Sequence, residues 1–547
     1  MGVSFVRQLG AQSGVQLNPL RDDSEIPATG NADQIFGIAM RATRGRIDKP
    51  FRVNSGNVLR KLGRGEPIRV SALNEAWVHV VEALNNGAYE AVVQRLTTAS
   101  AVISWAKVSV NATTKAIEFA ASATEPAAPY LLAVKHLECH NDGIKIEVAA
   151  DEKLAGGVQT SNDKLTLRVL DSRDDVLYEF YGSLNAEAKD DYGNSLFLPD
   201  VVTAQTDAIE VSIGVTGANA VIDPASNAYG YDANGRTKAA RSGVLVCFTE
   251  GGTAYTVADY TAAREKLQNS PHDFAYLSSG GTQNAGLLAQ LAQLAFDTNT
   301  QLRFDVPGSL TPAAAMSFVE SLNLGASPTA HLMQAFWAPF KSSDPTGVNR
   351  AAYYGVATLN IAYACARNAQ TNAKGFAPKN YPVAGRQWPI NRIGINQTCF
   401  PKQQELSALA RAKINPALFE SYTGGGRYVF RDSLTCALVE SSLKKLISVA
   451  DMSTSLDDAV TRFGKDVLQL PMDVAVRRMN DFLRDLFSGA EASGWLVPSS
   501  APDMGGQAWK FDVRPNEVRP YDRLDVSYWL RFDGVARQIF VTQTLTH

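Results

Sequence analysis

The sequence predicts a multidomain protein of mixed α/β and α+β class, and three observations predict it. The chain has 547 residues, well beyond the roughly 250–300 at which a single hydrophobic core stops growing. From about residue 131 to 250, short β-like runs are separated by Gly, Asn and Asp clusters, as in a β-rich domain. From about 255 to 338, strand-like and helix-like runs alternate, the pattern of a mainly parallel sheet flanked by helices.

Taken in order, residues 1 to about 30 are polar with few apolar anchors, and read as an arm without a core of its own. Fully extended, such an arm reaches roughly 100 Å. Gln34 to Met40 reads as a buried strand. Ser71 is a helix cap with Asn74 and Glu75 in the first turn, and Leu73, Trp77, Val80, Val81 and Leu84 follow at helical spacing. Asn85-Asn86-Gly87 ends that helix and Ala91 to Leu96 is the next strand, which makes 31–96 a β-α-β unit. Ile144–Val148, Leu165–Val169 and Gly243–Phe248 are strands of the β-rich part. In the α/β part, helices are expected over Tyr260–Gln268 and Gln283–Asp297, and after Thr311-Pro312, where Thr caps and Pro occupies the first turn. Strands are expected at Ala275–Leu277, Leu302–Val306 and Leu332–Ala338. Later, Met472, Val476, Met479, Leu483 and Leu486 define an amphipathic helix over 471–487. Leu524, Val526, Tyr528 and Leu530 share one strand face, Asp533-Gly534 signals a hairpin turn, and Val535 to Leu545 runs out as a second strand.

Composition narrows the function. The chain is 45% hydrophobic and 20% charged, which excludes a wholly disordered protein. Its net charge is -3, with 52 basic and 55 acidic residues, so no global field draws it to nucleic acid or an anionic membrane. The N-terminus has no apolar signal-peptide region, and no stretch approaches the roughly 20 apolar residues that span a bilayer. Met1-Gly2 fits the start of a myristoylation signal, but Val6 stands where Ser or Thr is required. Cys139, Cys247, Cys365, Cys399 and Cys436 are odd in number and widely spaced, and read as free thiols of a protein made in a reducing compartment.

Catalytic signatures are sparse. His136, Cys139 and His140 have metal-ligand character and would share one face of a helix. The Asn141-Asp142-Gly143 turn and the alternation after it favour a strand, where such ligands diverge, so no metal is expected. Ser278 to Thr282 lies between a strand and a helix but lacks a phosphate-binding lysine, and Gly424-Gly425-Gly426 reads as a hairpin turn. No GxSxG elbow occurs. His272 beside Asp273, His79 on its helix, and the Asp174-Asp175, Asp190-Asp191 and Asp457-Asp458 pairs read as structural or surface residues. The charged face of 471–487 reads either as a solvated helix face or as a docking surface.

Several stretches together resemble the tail sheath proteins of contractile-tailed bacteriophages. They are Ile35–Gly45 with Pro50, Trp77–Leu96, Asn141–Val148, Leu406–Asn415 with Tyr422–Gly426 and Tyr428–Thr435, and Asp481–Phe487 with Gly489, Gly494 and Trp495. Lys413 stands where the family has Gly, and Phe430-Arg431-Asp432 replaces its Trp-Gly. The resemblance implies a non-enzymatic structural subunit with no cofactor and no metal. It implies a tube-facing core formed from both chain ends, at 31–125 and 386–534, around a β-rich domain at 126–250 and an α/β domain at 251–385. Arms at 1–30 and 535–547 would add strands to neighbouring copies. The implied arm residues are Val3, Phe5, Val6 and Leu9, and Val535, Gln538, Ile539, Phe540, Val541, Thr542 and Leu545. Asp473, Arg477, Arg478, Asp481, Arg484 and Asp485 would face the tube. Implied partners are further copies in a helical polymer, the tail tube, and baseplate and tail terminator proteins, without nucleic acid or membrane insertion. The implied location is the virion tail, after assembly in the host cytoplasm. The rival expectations are the sheath of a bacteriocin-like injection particle, a capsid-type shell protein, and a cytosolic α/β enzyme that uses the 278–282 turn.

Overall fold

The computed structural model of the chain describes residues 32–66, 68, 76–110, 117–150, 165–214, 240–241, 244–325 and 327–543. The expected Ser71 cap, and Leu73, Asn74 and Glu75, lie outside them. The first elements are β1 (Ile35–Met40), β2 (Phe51–Val53), α1 (Val58–Leu62), α2 (Ala76–Asn85) and β3 (Glu90–Arg95). Every residue of β1 and β3 is buried, as a central parallel strand covered on both faces requires. Gly87 closes α2 at φ 120, where a Cβ would meet Ala366 at 2.5 Å.

Next come β4 (Trp105–Val110), β5 (Ile117–Ser122), β6 (Leu132–His136), β7 (Ile144–Ala150), β8 (Leu165–Asp171), β9 (Val176–Gly182), α3 (Leu198–Gln205), β10 (Ile209–Ile213) and β11 (Ala240–Arg241). They form two four-stranded sheets, ordered β10-β6-β4-β5 and β11-β7-β8-β9. Alternate apolar residues from both sheets, among them Val108, Val134, Ile146, Leu167 and Phe180, share one core. This β-rich unit begins near Trp105, earlier than the expected 126, because β4 pairs with both β5 and β6. Val246 makes an isolated bridge to Ile144 where a full strand was expected over 243–248.

The chain then alternates through α4 (Val257–Gln268), β12 (Tyr276–Ser278), α5 (Ala285–Thr298), β13 (Gln301–Val306), α6 (Pro312–Ser321), β14 (Met333–Trp337), β15 (Phe340–Lys341), α7 (Ala357–Asn368), β16 (Asn396–Gln397), α8 (Gln403–Arg411), β17 (Ile414–Tyr422) and β18 (Gly425–Phe430). The Thr311 hydroxyl accepts the Ala314 N–H, so the expected cap of α6 forms. An eight-stranded sheet results, ordered β18-β17-β14-β13-β12-β1-β3-β2. The strands from β17 to β3 in this order run parallel, and β2 and β18 are antiparallel edges. One face packs on α2 and α7 through Phe36, Ile38, Val80 and Leu359. The other packs on α4, α5, α6 and α8 through Ile35, Val92, Leu291, Ala315 and Leu409. The expected separate α/β domain at 251–385 is therefore corrected. Its strands β12, β13 and β14 sit inside the sheet begun by β1 and finished by β17.

The last part holds α9 (Ile447–Asp466), α10 (Met472–Ala492), β19 (Trp509–Pro515) and β20 (Leu524–Leu530). They enclose their own core of Met452, Leu456, Met479, Leu483, Phe487 and Trp495. A fully buried ion cluster fixes this unit to the sheet. Asp451 of α9 accepts from Arg367 of α7 at 2.7 Å and Arg303 of β13 at 3.3 Å, and Arg303 also donates to the Asn360 side chain. Burial pushes Asp451 up, but the two guanidiniums outweigh it and hold its pKa below the ordinary value.

Candidate assembly surfaces

The sequence places a charge every three or four residues along α10, and helical geometry collects them on one side. Asp473, Arg477, Arg478, Asp481, Arg484 and Asp485 are all exposed. Asp473, Arg477, Asp481 and Arg484, at steps of 4, 4 and 3, form a ridge of alternating sign, in which Arg484 lies 3.5 Å from Asp481. The opposite side is buried through Ala475, Met479, Leu483 and Phe487. The expected apolar line is thus shifted: Met472, Val476 and Leu486 are only half-buried. Phe482 stacks on Phe463 of α9 at 4.0 Å, and Phe487 meets Trp509, Phe511 and Tyr528 of the β19–β20 hairpin. The helix is held by its apolar side, and among the described residues the ridge pairs only within itself, Arg484 with Asp481.

The C-terminal segment departs from the expected hairpin. β20 pairs backwards with β19, residue by residue from Leu524↔Pro515 to Leu530↔Trp509. Alternation explains the choice, since Trp509, Phe511, Leu524, Val526, Tyr528 and Leu530 all turn to the same core. At Gly534 the chain leaves that core, and the Gly534 N–H is taken by the Asp533 carboxylate at 2.8 Å. Among the described residues, 534–543 pair with no strand. Arg537 tethers the segment to Asp432 at 2.8 Å. Val535 is half-buried, whereas Gln538 and Thr542 are exposed. Ile539, Phe540 and Val541 are 82%, 89% and 88% exposed. Leu545, and Val3, Phe5, Val6 and Leu9 of the N-terminal arm, lie outside the described residues.

A third feature sits where the β-rich unit meets the sheet. β6 ends at His136, and Cys139 takes a left-handed φ of 48 in the turn that follows. That one residue reverses the chain, and the expected divergence of the ligands does not occur. The His136 and His140 rings meet edge to face at 4.5 Å. Cys139 is turned away and donates to the Leu137 carbonyl. Glu138 stands in its place: its side chain takes Lys61 of α1 and accepts from the Tyr178 hydroxyl at 3.0 Å, with one oxygen 3.6 Å from His136 Nε2. All four imidazole nitrogens are buried without a hydrogen bond, which costs about 1–3 kcal/mol for each such polar group. Burial lowers the His136 pKa to about 4 and lowers His140 as well, so both rings are neutral at ordinary pH. Burial also pushes Glu138 up, but the Lys61 ammonium, helped by the Tyr178 hydroxyl, prevails and holds its pKa below the ordinary value. Two neutral imidazoles and a carboxylate are a donor set that can hold a transition-metal cation.

The remaining sequence candidates are accounted for by packing. Ser278, Ser279 and Thr282 are fully buried; the Ser278 hydroxyl pairs with Thr358 at 2.6 Å and accepts from Gly280 N–H. Ala76 closes over Gly280, so this turn forms no phosphate cradle. Gly424 sits in the turn of the β17–β18 hairpin. His79 is buried against Tyr354. Asp273, next to His272 in sequence, pairs with Arg462 at 3.0 Å. Cys139, Cys365 and Cys436 are buried free thiols, Cys399 is half-buried and Cys247 is exposed. Among the described residues no helix is long and apolar enough to cross a membrane.

No family model matches this chain, and no curated protein matches it. Among solved structures it is similar to a chain of the anti-feeding prophage (AFP) baseplate, six-fold symmetrised, at 11% identity over 55% of this chain and 77% of that chain, with a TM-score of 0.40. It is also similar to the PVC sheath complex of an extracellular contractile injection system in its contracted state, at 13% identity over 52% and 74%, with a TM-score of 0.41. A third similarity is to the AFP baseplate in its contracted state, at 13% identity over 55% and 81%, with a TM-score of 0.38.

Proposed function

We propose that this chain is a structural subunit of a contractile tail sheath. Copies polymerise helically around a tail tube, and a concerted rotation of subunits shortens the lattice and drives the tube through a cell envelope. The observation that carries the reading is the segment at 534–543. It is a segment tethered by Arg537, with Ile539, Phe540 and Val541 exposed, that pairs with no strand among the described residues, and a segment of this kind can add as a strand to the sheet of another copy. One copy donating and the next accepting is a head-to-tail contact, and such contacts build open helices when they do not close. The N-terminal arm, with Val3, Phe5, Val6 and Leu9, makes the reciprocal link. The ordered stretches at 35–45, 77–96, 141–148, 406–435 and 481–495 support the same reading by their resemblance to sheath proteins. The alternating ridge of α10 faces the tube, where polar, mixed-charge contact sets register and still permits release. Baseplate and terminator proteins cap the two ends of the polymer. The particle is a phage tail, and the protein acts without catalysis.

Purified full-length chain is expected to form long tubes by negative-stain microscopy. Chain ending at residue 535 is expected to remain folded by circular dichroism and to form none. Tubes of wild-type length from the truncated chain would overturn the proposal, as would a full-length chain that stays monomeric at high concentration.

A further inference from the structure

We infer that the turn joining β6 to β7 is a structural binding site for a zinc-class divalent cation, with His136, Glu138 and His140 as its protein ligands. The argument rests on placement and on unmet hydrogen bonding. One ligand atom from each of the three residues lies within 4.8 Å of the others. Tetrahedral zinc with bonds of about 2.0–2.1 Å needs ligand atoms roughly 3.4 Å apart, and Glu138 already stands 3.6 Å from His136 Nε2. Small side-chain adjustments close the remainder. All four imidazole nitrogens are buried with no hydrogen-bond partner. Two neighbouring histidines in that state are unusual, and a missing ion is one of the few explanations for buried polar groups without partners.

The surroundings are those of a supported site. Lys61 holds one Glu138 oxygen, and the Tyr178 hydroxyl donates to the other, the one that faces His136, outer contacts of the kind that orient a metal-binding carboxylate. Of the cations near the rings, Lys61 is paired with Glu138, Arg44 with Asp142 and Asp171, and Arg95 with Glu250, while Arg60 reaches the Tyr178 hydroxyl. A cavity of about 10 Å³, lined by both rings together with Cys139 and Cys247 but not by Glu138, lies beside the two imidazoles, space for about one water. Two imidazoles and one carboxylate suit zinc better than the oxygen-seeking magnesium or calcium. The ion would join three parts of the molecule, because Glu138 is reached from α1 and from β9 and its backbone carbonyl accepts the Gly45 N–H. It would therefore stiffen the joint between the β-rich unit and the large sheet. This inference is independent of the sheath reading.

The test uses untagged full-length chain stripped with a chelator and titrated with cobalt(II) as the spectroscopic probe, then zinc. The expected result is one cobalt per chain with the intense visible bands of a tetrahedral site, displacement by zinc, and a higher thermal midpoint with zinc. His136→Asn and His140→Asn are each expected to abolish the bands, and Cys139→Ser to retain them. X-ray absorption on the wild-type zinc form is expected to show nitrogen and oxygen ligands, and it decides the matter even if the histidine variants fail to fold. No binding by the wild type at micromolar metal overturns the inference. So do a sulfur-dominated shell and undiminished binding in folded His136→Asn, His140→Asn chain.

Discussion

His79 is fully buried. It lies inside α2 with its ring edge-on to Tyr354, and Arg392, paired with Glu82 at 2.6 Å, stacks on that same tyrosine at 3.8 Å. Burial first, and then the Arg392 charge, lower its pKa from 6.5 to about 3. Because the folded value is the lower one, the unfolded chain binds the extra proton between those two pH values, and stability falls as pH falls through that window. One such group supplies up to about 1.4 kcal/mol per pH unit. His79→Phe is therefore expected to flatten the loss of stability between about pH 6.5 and 5, read as urea midpoints, whatever it does at neutral pH. Equal slopes in variant and wild type would rule out His79 as the source. The sequence showed His79 on a helix, but its burial depends on Tyr354 and Arg392, some 275 and 313 positions away. Lys413 is the opposite case. It stands where the sheath pattern that the sequence resembles has Gly, and the structure puts it at φ 61, a conformation glycine enters freely and lysine rarely. The substitution could be seen in the sequence, although its backbone meaning could not.

Elements whose signal is local were legible. The cap of α6 needs only Thr311 and Pro312, and the β17–β18 hairpin needs only Gly424 between two β-like runs. Pairings set by distant packing were not. β1 lies between β3 and β12, and nothing near Ile35 names Tyr276 as the neighbour of Phe36. Parallel pairing is imposed by the helices that cover both faces. The hairpin expected at Asp533-Gly534 failed for a similar reason: a turn signal was present, but β20 had a better apolar partner in β19. The α10 charges were legible because period and exposure agree there, whereas the joining of His136 to His140 hid behind a single left-handed Cys139. Phe487 tests the account of α10. Its ring is fully buried between the helix and the hairpin, 5.5 Å from Tyr528. Phe487→Ala is expected to cost about 3–5 kcal/mol, seen as a lower denaturant midpoint with β19–β20 losing protection in hydrogen exchange. Asp485→Ala, on the exposed side of α10, is expected to change stability by less than about 0.5 kcal/mol.

At the scale of the whole molecule, the β-rich unit is joined to the large sheet largely by arginines. Arg95, at the end of β3, is fully buried; it donates to the Gly45 and Cys139 carbonyls, to Asn141 at 2.6 Å and to Glu250 at 3.3 Å. Its guanidinium lies 4.6 Å over the Phe248 ring. Arg41 shares Glu250 at 2.9 Å, and Arg44 reaches Asp142 at 3.0 Å. A joint made of charged pairs and carbonyl bonds is directional, so it holds one relative orientation where an apolar contact would allow sliding. It is also vulnerable, because removal of one partner strands the others: breaking a buried pair costs about 3–5 kcal/mol. Arg95→Met is therefore expected to uncouple the two units. Calorimetry should show the β-rich unit melting ahead of the sheet, and limited proteolysis should cut near residues 97–104. Lys49→Ala removes a partner of the exposed Asp207 at the same joint and is expected to cost at most about 1 kcal/mol, leaving the unfolding profile unchanged. Unchanged unfolding of the Arg95 variant would move the source of rigidity to the backbone contacts, Gly45 N–H to the Glu138 carbonyl and Asn141 N–H to the Thr43 carbonyl. Under the proposed sheath function, this joint would transmit force between the large sheet and the β-rich unit. The same variant is then expected to assemble into tubes whose outer layer is poorly ordered by electron microscopy.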